Sequence, residues 1–159
     1  MVVGGVPDLR ALASVAPSVL GRSAYITLAT ADAQGRPWVS PVWFVSEDHR
    51  TFWWVSMPDA VRSRNIAARP DVAIVVYDTG AVVGEAQSVY ACAGAAQVDD
   101  ADGLGVFSRA SVAAGLAHWS MDDVTGGSGV RLYRAVATEL SVLDATTGHG
   151  RDERFVVDD

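Results

Sequence analysis

The apolar residues Leu9, Leu12, Val15 and Val19 recur at helical spacing, and Gly21 follows them as a stop. This predicts an amphipathic helix over about 8–20, opened by Pro7 and Asp8. At Tyr25 the period changes to two. Tyr25 to Thr30 is rich in β-formers, Asp32 to Pro37 has turn chemistry, and Trp38 to Ser46 is again extended, so the pattern predicts a hairpin. Glu47-Asp48-His49-Arg50 forms a second turn before a third strand, Thr51 to Ser56. Pro58 and Asp59 open a short helix over about 59–68, Pro70 ends it, and Val72 to Tyr77 reads as a continuous apolar strand buried on both faces.

In the second half, Gly80 to Gly84 is a loop and Gln87 to Val98 a long strand with Gly94 near its middle, where a bulge or barrel corner is expected. A helix over about 101–116 carries Leu104, Phe107, Val112 and Leu116. An irregular stretch through Trp119 and Met121 leads to the Gly126-Gly127-Ser128-Gly129 loop, and Arg131 to Leu143 is the last long strand. Beyond Asp144 a polar tail surrounds a small Phe155-Val156-Val157 patch, either a short edge strand or frayed. Six antiparallel strands in near succession with flanking helices predict a mainly β, α+β domain: a meander or barrel, single over residues 1–159, with an N-terminal helix (1–21) and a polar tail (145–159).

Composition removes several classes of function. The chain has 12 Lys+Arg against 19 Asp+Glu, a formal net charge of −7, so non-specific attraction to nucleic acid or an anionic membrane is weak. No stretch approaches the roughly 20 apolar residues needed to span a bilayer, and the N-terminus lacks the basic start of a secretory signal, so a cytoplasmic protein is expected. Cys92 stands alone, which excludes a disulfide framework, and its alternating surroundings read as a packed small hydrophobe. His49, His118 and His149 are too scattered for a metal motif. The Gly126 to Gly129 loop lacks the lysine of a nucleotide-binding P-loop, and Asp122 with Asp123 reads as a solvated pair.

What remains points to one rim of the barrel. A polar strand end at Ser56 is followed, one turn into a helix, by Arg62, in the densest basic cluster of the chain, Arg62, Arg64 and Arg69. A cation in that place suits a phosphate. Trp43, Trp53 and Trp54 supply flat apolar surface for a fused ring; alternation sends Trp53 and Trp54 to opposite faces, one toward the core and the other toward a groove or partner.

The order of these pieces resembles the pyridoxamine 5′-phosphate oxidase-like family, the flavin and deazaflavin oxidoreductases of the split-barrel fold. The resemblance covers roughly Arg22 to Leu143. It rests on Leu28-Ala29-Thr30 before Gly35-Arg36-Pro37, Ser40-Pro41-Val42-Trp43-Phe44, Trp54-Val55-Ser56, Arg62 with Asn65-Ile66 before Pro70, and Leu132-Tyr133-Arg134-Ala135. It implies a six-stranded antiparallel split β-barrel, a homodimer with cofactor grooves at its interface, and FMN as cofactor. It also implies that Ser40, Pro41, Val42 and Trp43 run along the ring or ribityl chain, that Val55 and Ser56 approach the phosphate, and that Arg62 pairs with it. Trp119 would either cover the ring of the neighbouring groove or close the core.

Oxidases of pyridoxamine phosphate carry an arginine and a lysine where this chain has Ser40 and Val45, and a basic C-terminus where this one is acidic. The resemblance therefore implies a flavin-dependent oxidoreductase acting on another small molecule, with no side chain singled out as catalytic, because a flavin carries the electrons itself. An F420-dependent reductase, or a non-catalytic carrier or sensor of flavin or haem, is the alternative. With so few basic residues, FMN is favoured over F420, whose polyglutamate tail needs a basic channel.

Overall fold

The computed structural model describes residues 9–144 and 154–156, with side chains from Ser14 to Leu143. Pro7, Asp8, His149, Val157 and most of the polar tail lie outside the described residues, as do the side chains of Leu9 and Leu12. The elements in chain order are α1 (Leu9–Arg22), β1 (Tyr25–Ala31), β2 (Pro37–Trp43), β3 (Thr51–Ser56), α2 (Val61–Ala68), β4 (Asp71–Tyr77), β5 (Gln87–Gln97), α3 (Ala101–Ala113), a 3-10 turn (Met121–Asp123), β6 (Arg131–Asp144) and β7 (Arg154–Val156).

The strands form one antiparallel sheet in the order β2-β1-β4-β5-β6-β3, and β7 adds to the far end of β6, pairing Phe155 with Val142. Its two outer strands meet just beyond the end of β2. The Val45 N–H donates to the Trp53 carbonyl at 2.9 Å, and the Trp53 N–H returns a 2.8 Å bond to Val45. That bridge curls the sheet into a split barrel of six strands, as the sequence predicts.

Alternation then decides what fills it. Ile26 and Leu28 of β1, Val42 of β2, Phe52 and Trp54 of β3, and Val72, Ile74 and Val76 of β4 point inward and are buried, and Val15 and Val19 of α1 close the core. A second, smaller core lies outside the barrel wall, where α3 packs Leu104 and Phe107 over Trp53, Val45 and Leu132. Asp100 caps α3 by accepting from the Gly103 N–H at 2.8 Å. The same carboxyl meets Arg134 at 3.5 Å, whose guanidinium lies over the Trp53 ring at 5.8 Å. Gly103 has no side chain because a Cβ there would stand 2.2 Å from that ring.

Several expectations need correction. Trp53 and Trp54 do take opposite faces, yet neither reaches a groove. Trp54 is wholly inside the barrel, stacked on Tyr133 at 5.8 Å, and α3 covers Trp53. β4 is buried on one face only, since Ala73 is exposed and Val75 half-buried on the other. Cys92 shares that outer face and is exposed, because the alternation that buries Ala91 and Ala93 turns it outward. The irregularity in β5 falls between Cys92 and Ala93 rather than at Gly94. The extra residue there is Thr138 of β6, whose hydroxyl donates to the Cys92 carbonyl at 3.1 Å. α2 begins at Val61 with Ala60 as its cap residue, and Asp59 makes no side-chain cap. No described helix is long and apolar enough to cross a membrane.

Candidate functional site

The barrel is closed at Val45 and Trp53 and open beyond them. Continuing that pairing would set Trp43 against Val55 and Val42 against Ser56, but β2 pairs only with β1 and β3 only with β6 among the described strands. A split results. One lip carries Ser40, Pro41, Val42 and Trp43, the other Val55 and Ser56; Val42 and Trp43 stand opposite Ser56 and Val55, while Ser40 and Pro41 continue along β2 past the end of β3. Both lips are strand edges, which leave backbone N–H and C=O groups unpaired and facing the gap, although Pro41 offers no N–H. Inward-facing Ser40 is buried and its hydroxyl has no partner among the described residues. Outward-facing Trp43 is half-buried.

At one end of the split, α2 is tied to both sides of the barrel. Ser63 Oγ donates to Ser56 Oγ at 3.0 Å, fixing the helix to the β3 lip. Asn65 Nδ2 donates to Thr30 Oγ1 at 3.0 Å, fixing it to β1. Both side chains are buried, and Ile66 is the only large apolar residue α2 buries beside them. This helix is therefore held by polar contacts more than by an apolar stripe. Arg62, next to Ser63, is half-buried, and its Nε is buried with no hydrogen-bond partner among the described residues.

The neighbouring cations are differently placed. Arg64 donates to the Asp59 carbonyl and Arg69 to the Ala33 carbonyl at 3.3 Å. Arg36 pairs with Asp32 at 2.7 Å. The Arg36 backbone N–H, aided by that guanidinium, holds the Asp32 carboxyl below the usual carboxylate range. Arg62 thus stands apart in the basic cluster as a cation with a buried, unsatisfied N–H. Such an atom needs an explanation, and a charge-assisted bond to an anion is one that would satisfy it.

Trp119 lies in the outer core. Its backbone N–H donates to Ser108 Oγ at 2.8 Å, its Nε1 to Ser111 Oγ at 3.2 Å, and its ring meets Phe107 edge-on at 5.8 Å. Phe107 in turn packs edge-on against Trp43 at 5.0 Å, so Trp119 is two ring contacts from the β2 lip within the same chain. Sequence reasoning missed Ser63 and Thr30 as the anchors of α2. The available signal was a helix with almost no apolar stripe, which must be held by its polar residues.

The fit to a phosphate-bearing flavin rests on these atoms: a buried unpaired guanidinium N–H, an unpaired buried hydroxyl at Ser40, and two open strand edges. The model of the family described as pyridoxamine 5′-phosphate oxidase matches residues 16–139. Among solved structures, the haem storage protein HutZ from Vibrio cholerae is 22% identical over 80% of this chain and 90% of its own, with a TM-score of 0.64. An F420 reductase is 21% identical over 78% of this chain and 94% of its own, at 0.58. A FAD-binding protein from Mesorhizobium loti is 20% identical over 86% and 94%, at 0.60. At such identities the likeness is one of fold. Comparison of the sequence with curated proteins finds no match.

Proposed function

The chain belongs to the pyridoxamine 5′-phosphate oxidase family, and from that premise we propose that it binds FMN in the split between β2 and β3 and serves as a flavin-dependent oxidoreductase on a small molecule. The observation that carries this reading is Arg62 Nε, buried without a partner on the helix that Ser63 ties to the Ser56 lip. Arg62 and Ser56 would hold the phosphate. Ser40 to Trp43 and Val55 would hold the rest through edge-strand backbone groups, with Trp43 adding apolar surface. A bound flavin supplies hydride and electron transfer itself, so the residues here need only bind, orient and exclude water.

Pyridoxamine phosphate is not the proposed substrate. Val45, at a position where oxidases of pyridoxamine phosphate carry a cation, belongs to the closing bridge and is buried in the outer core. FMN is preferred over F420 because Arg36, Arg64 and Arg69 are each engaged locally, which leaves little for a polyanionic tail. The same proposal includes a cytoplasmic homodimer. Its support is the outer face of β1, β2 and β4, where Val39, Pro41 and Ala73 are exposed beside half-buried Ala29 and Val75, a mostly apolar surface, interrupted by Thr27, that a second copy would cover.

An absorption spectrum of the freshly purified protein, repeated after adding FMN and removing the excess, tests the cofactor. The two-banded near-ultraviolet and blue absorption of oxidised flavin is expected. A Soret band, or the single violet band of a deazaflavin, would replace FMN with haem or F420.

A further inference from the structure

On the far side of α2 from its β1 anchor, a cavity of about 430 Å³ opens between α2, β5 and β6 at the mouth of the barrel. Its walls include Ile66, Pro70 and Ala95, and its polar groups come from Ser63, Gln97 and Tyr133. Tyr133 and Gln97 are register partners on β6 and β5, so their side chains leave the same face of the sheet. Tyr133 is 3% exposed, its ring fixed against Trp54, yet its hydroxyl makes no hydrogen bond among the described residues. Ser63 Oγ already donates to Ser56, so toward the cavity it offers lone pairs. Gln97 offers both a donor and an acceptor. Among the described residues, no charged side chain lines the space.

We propose that this cavity is a second small-molecule site, separate from the split, for a neutral ligand with an apolar ring body and one amide- or hydroxyl-like group that both donates and accepts. Its size and mostly apolar lining with a few convergent polar groups match ligand pockets in general. The uncharged lining sets the selectivity: a carboxylate placed there loses its water and gains no counter-charge. The proposal does not depend on which cofactor the split holds.

The test is a titration of 2-naphthamide into the ¹⁵N-labelled full chain as purified, followed by amide shift mapping, with 2-naphthoate as the anionic counterpart. Saturable shifts confined to residues 63–67, 95–97 and Tyr133 are expected, with 2-naphthoate at least about tenfold weaker. Tyr133→Phe, which keeps the ring on Trp54, should weaken 2-naphthamide about tenfold. Ala67→Leu, which fills the cavity from an exposed helix position, should abolish binding while the rest of the spectrum is retained. Absence of saturable shifts up to about 1 mM, shifts elsewhere, or indifference to both substitutions would overturn the proposal.

Discussion

Replacing Gly103 and Gly105 by alanine, one at a time, should move stability in opposite directions although both sit in the same helix. A Cβ on Gly103 would lie 2.2 Å from two atoms of the Trp53 ring, more than 1 Å inside the ~3.5–4.0 Å of carbon contact. The ring cannot yield easily, since it is held between α3 and Arg134 with its backbone in the bridge that closes the barrel. The helix must therefore shift, at a cost of about 1–3 kcal/mol for an overpacked core. Better helix propensity returns at most about 1 kcal/mol. On Gly105 the nearest atom is Arg109 Nη1 at 3.5 Å, the end of a flexible side chain, so the propensity gain stands almost alone. The two variants should differ by about 2 kcal/mol, or roughly 4–8 °C in Tm for a chain of this size. Thermal unfolding followed by circular dichroism, with urea midpoints as a check, measures it. A Gly103→Ala protein as stable as Gly105→Ala would refute the packing of α3 on Trp53.

Other consequences are open to simpler measurements. Asn65→Ala removes the tie between α2 and Thr30 and should cost about 1–2 kcal/mol in a urea titration; no loss would show that α2 is held by other contacts. Hydrogen bonds from Ser120 hold Asp123, and those from Arg36 hold Asp32, below the usual carboxylate range. For Asp48, burial pushes upward, but bonds from Thr51 and Arg50 outweigh it. Depressed folded values mean that these groups add stability in full above the unfolded value of about 4, and lose it as pH falls through their lower folded values. Tm should therefore be level with respect to these groups above about pH 5 and fall below pH 4; a Tm that rises on acidification contradicts the assignment. Light scattering should give about twice the 16.7 kDa chain mass, and a monomer would leave the mostly apolar outer face of β1, β2 and β4 unexplained.

Much of the architecture is legible along the chain because each strand announces itself by local chemistry. Alternation from Tyr25, the Gly35 turn at φ 81°, and Pro70 after α2 all stand where the pattern puts them. The split itself is partly legible, since Ser40 to Trp43, Val55 and Ser56 gather on its lips. What escapes the sequence is which side of a strand another element will cover. A period of two separates Trp53 from Trp54 but cannot tell that α3 lies over Trp53, because that contact depends on a missing side chain at Gly103. Cys92 and the sidedness of β4 fail for the same reason: small residues such as Ala73 and Ala91 look alike whether they face a core or a surface. The missing apolar stripe of α2 tells that polar residues hold it, but not that Ser63 and Asn65 do so, because a serine looks the same in a solvated helix as in one pinned to a neighbouring strand.

The central claim is that Arg62 holds a phosphate at the split. Titrating FMN into the protein and into Arg62→Ala, with flavin fluorescence as the readout, tests it most directly. Loss of a charge-assisted contact of about 1.5–3 kcal/mol should weaken binding roughly ten- to a hundred-fold, with the fold of the variant retained. A folded Arg62→Ala protein that binds FMN as tightly as the natural chain, or a natural chain that binds none, would contradict the account.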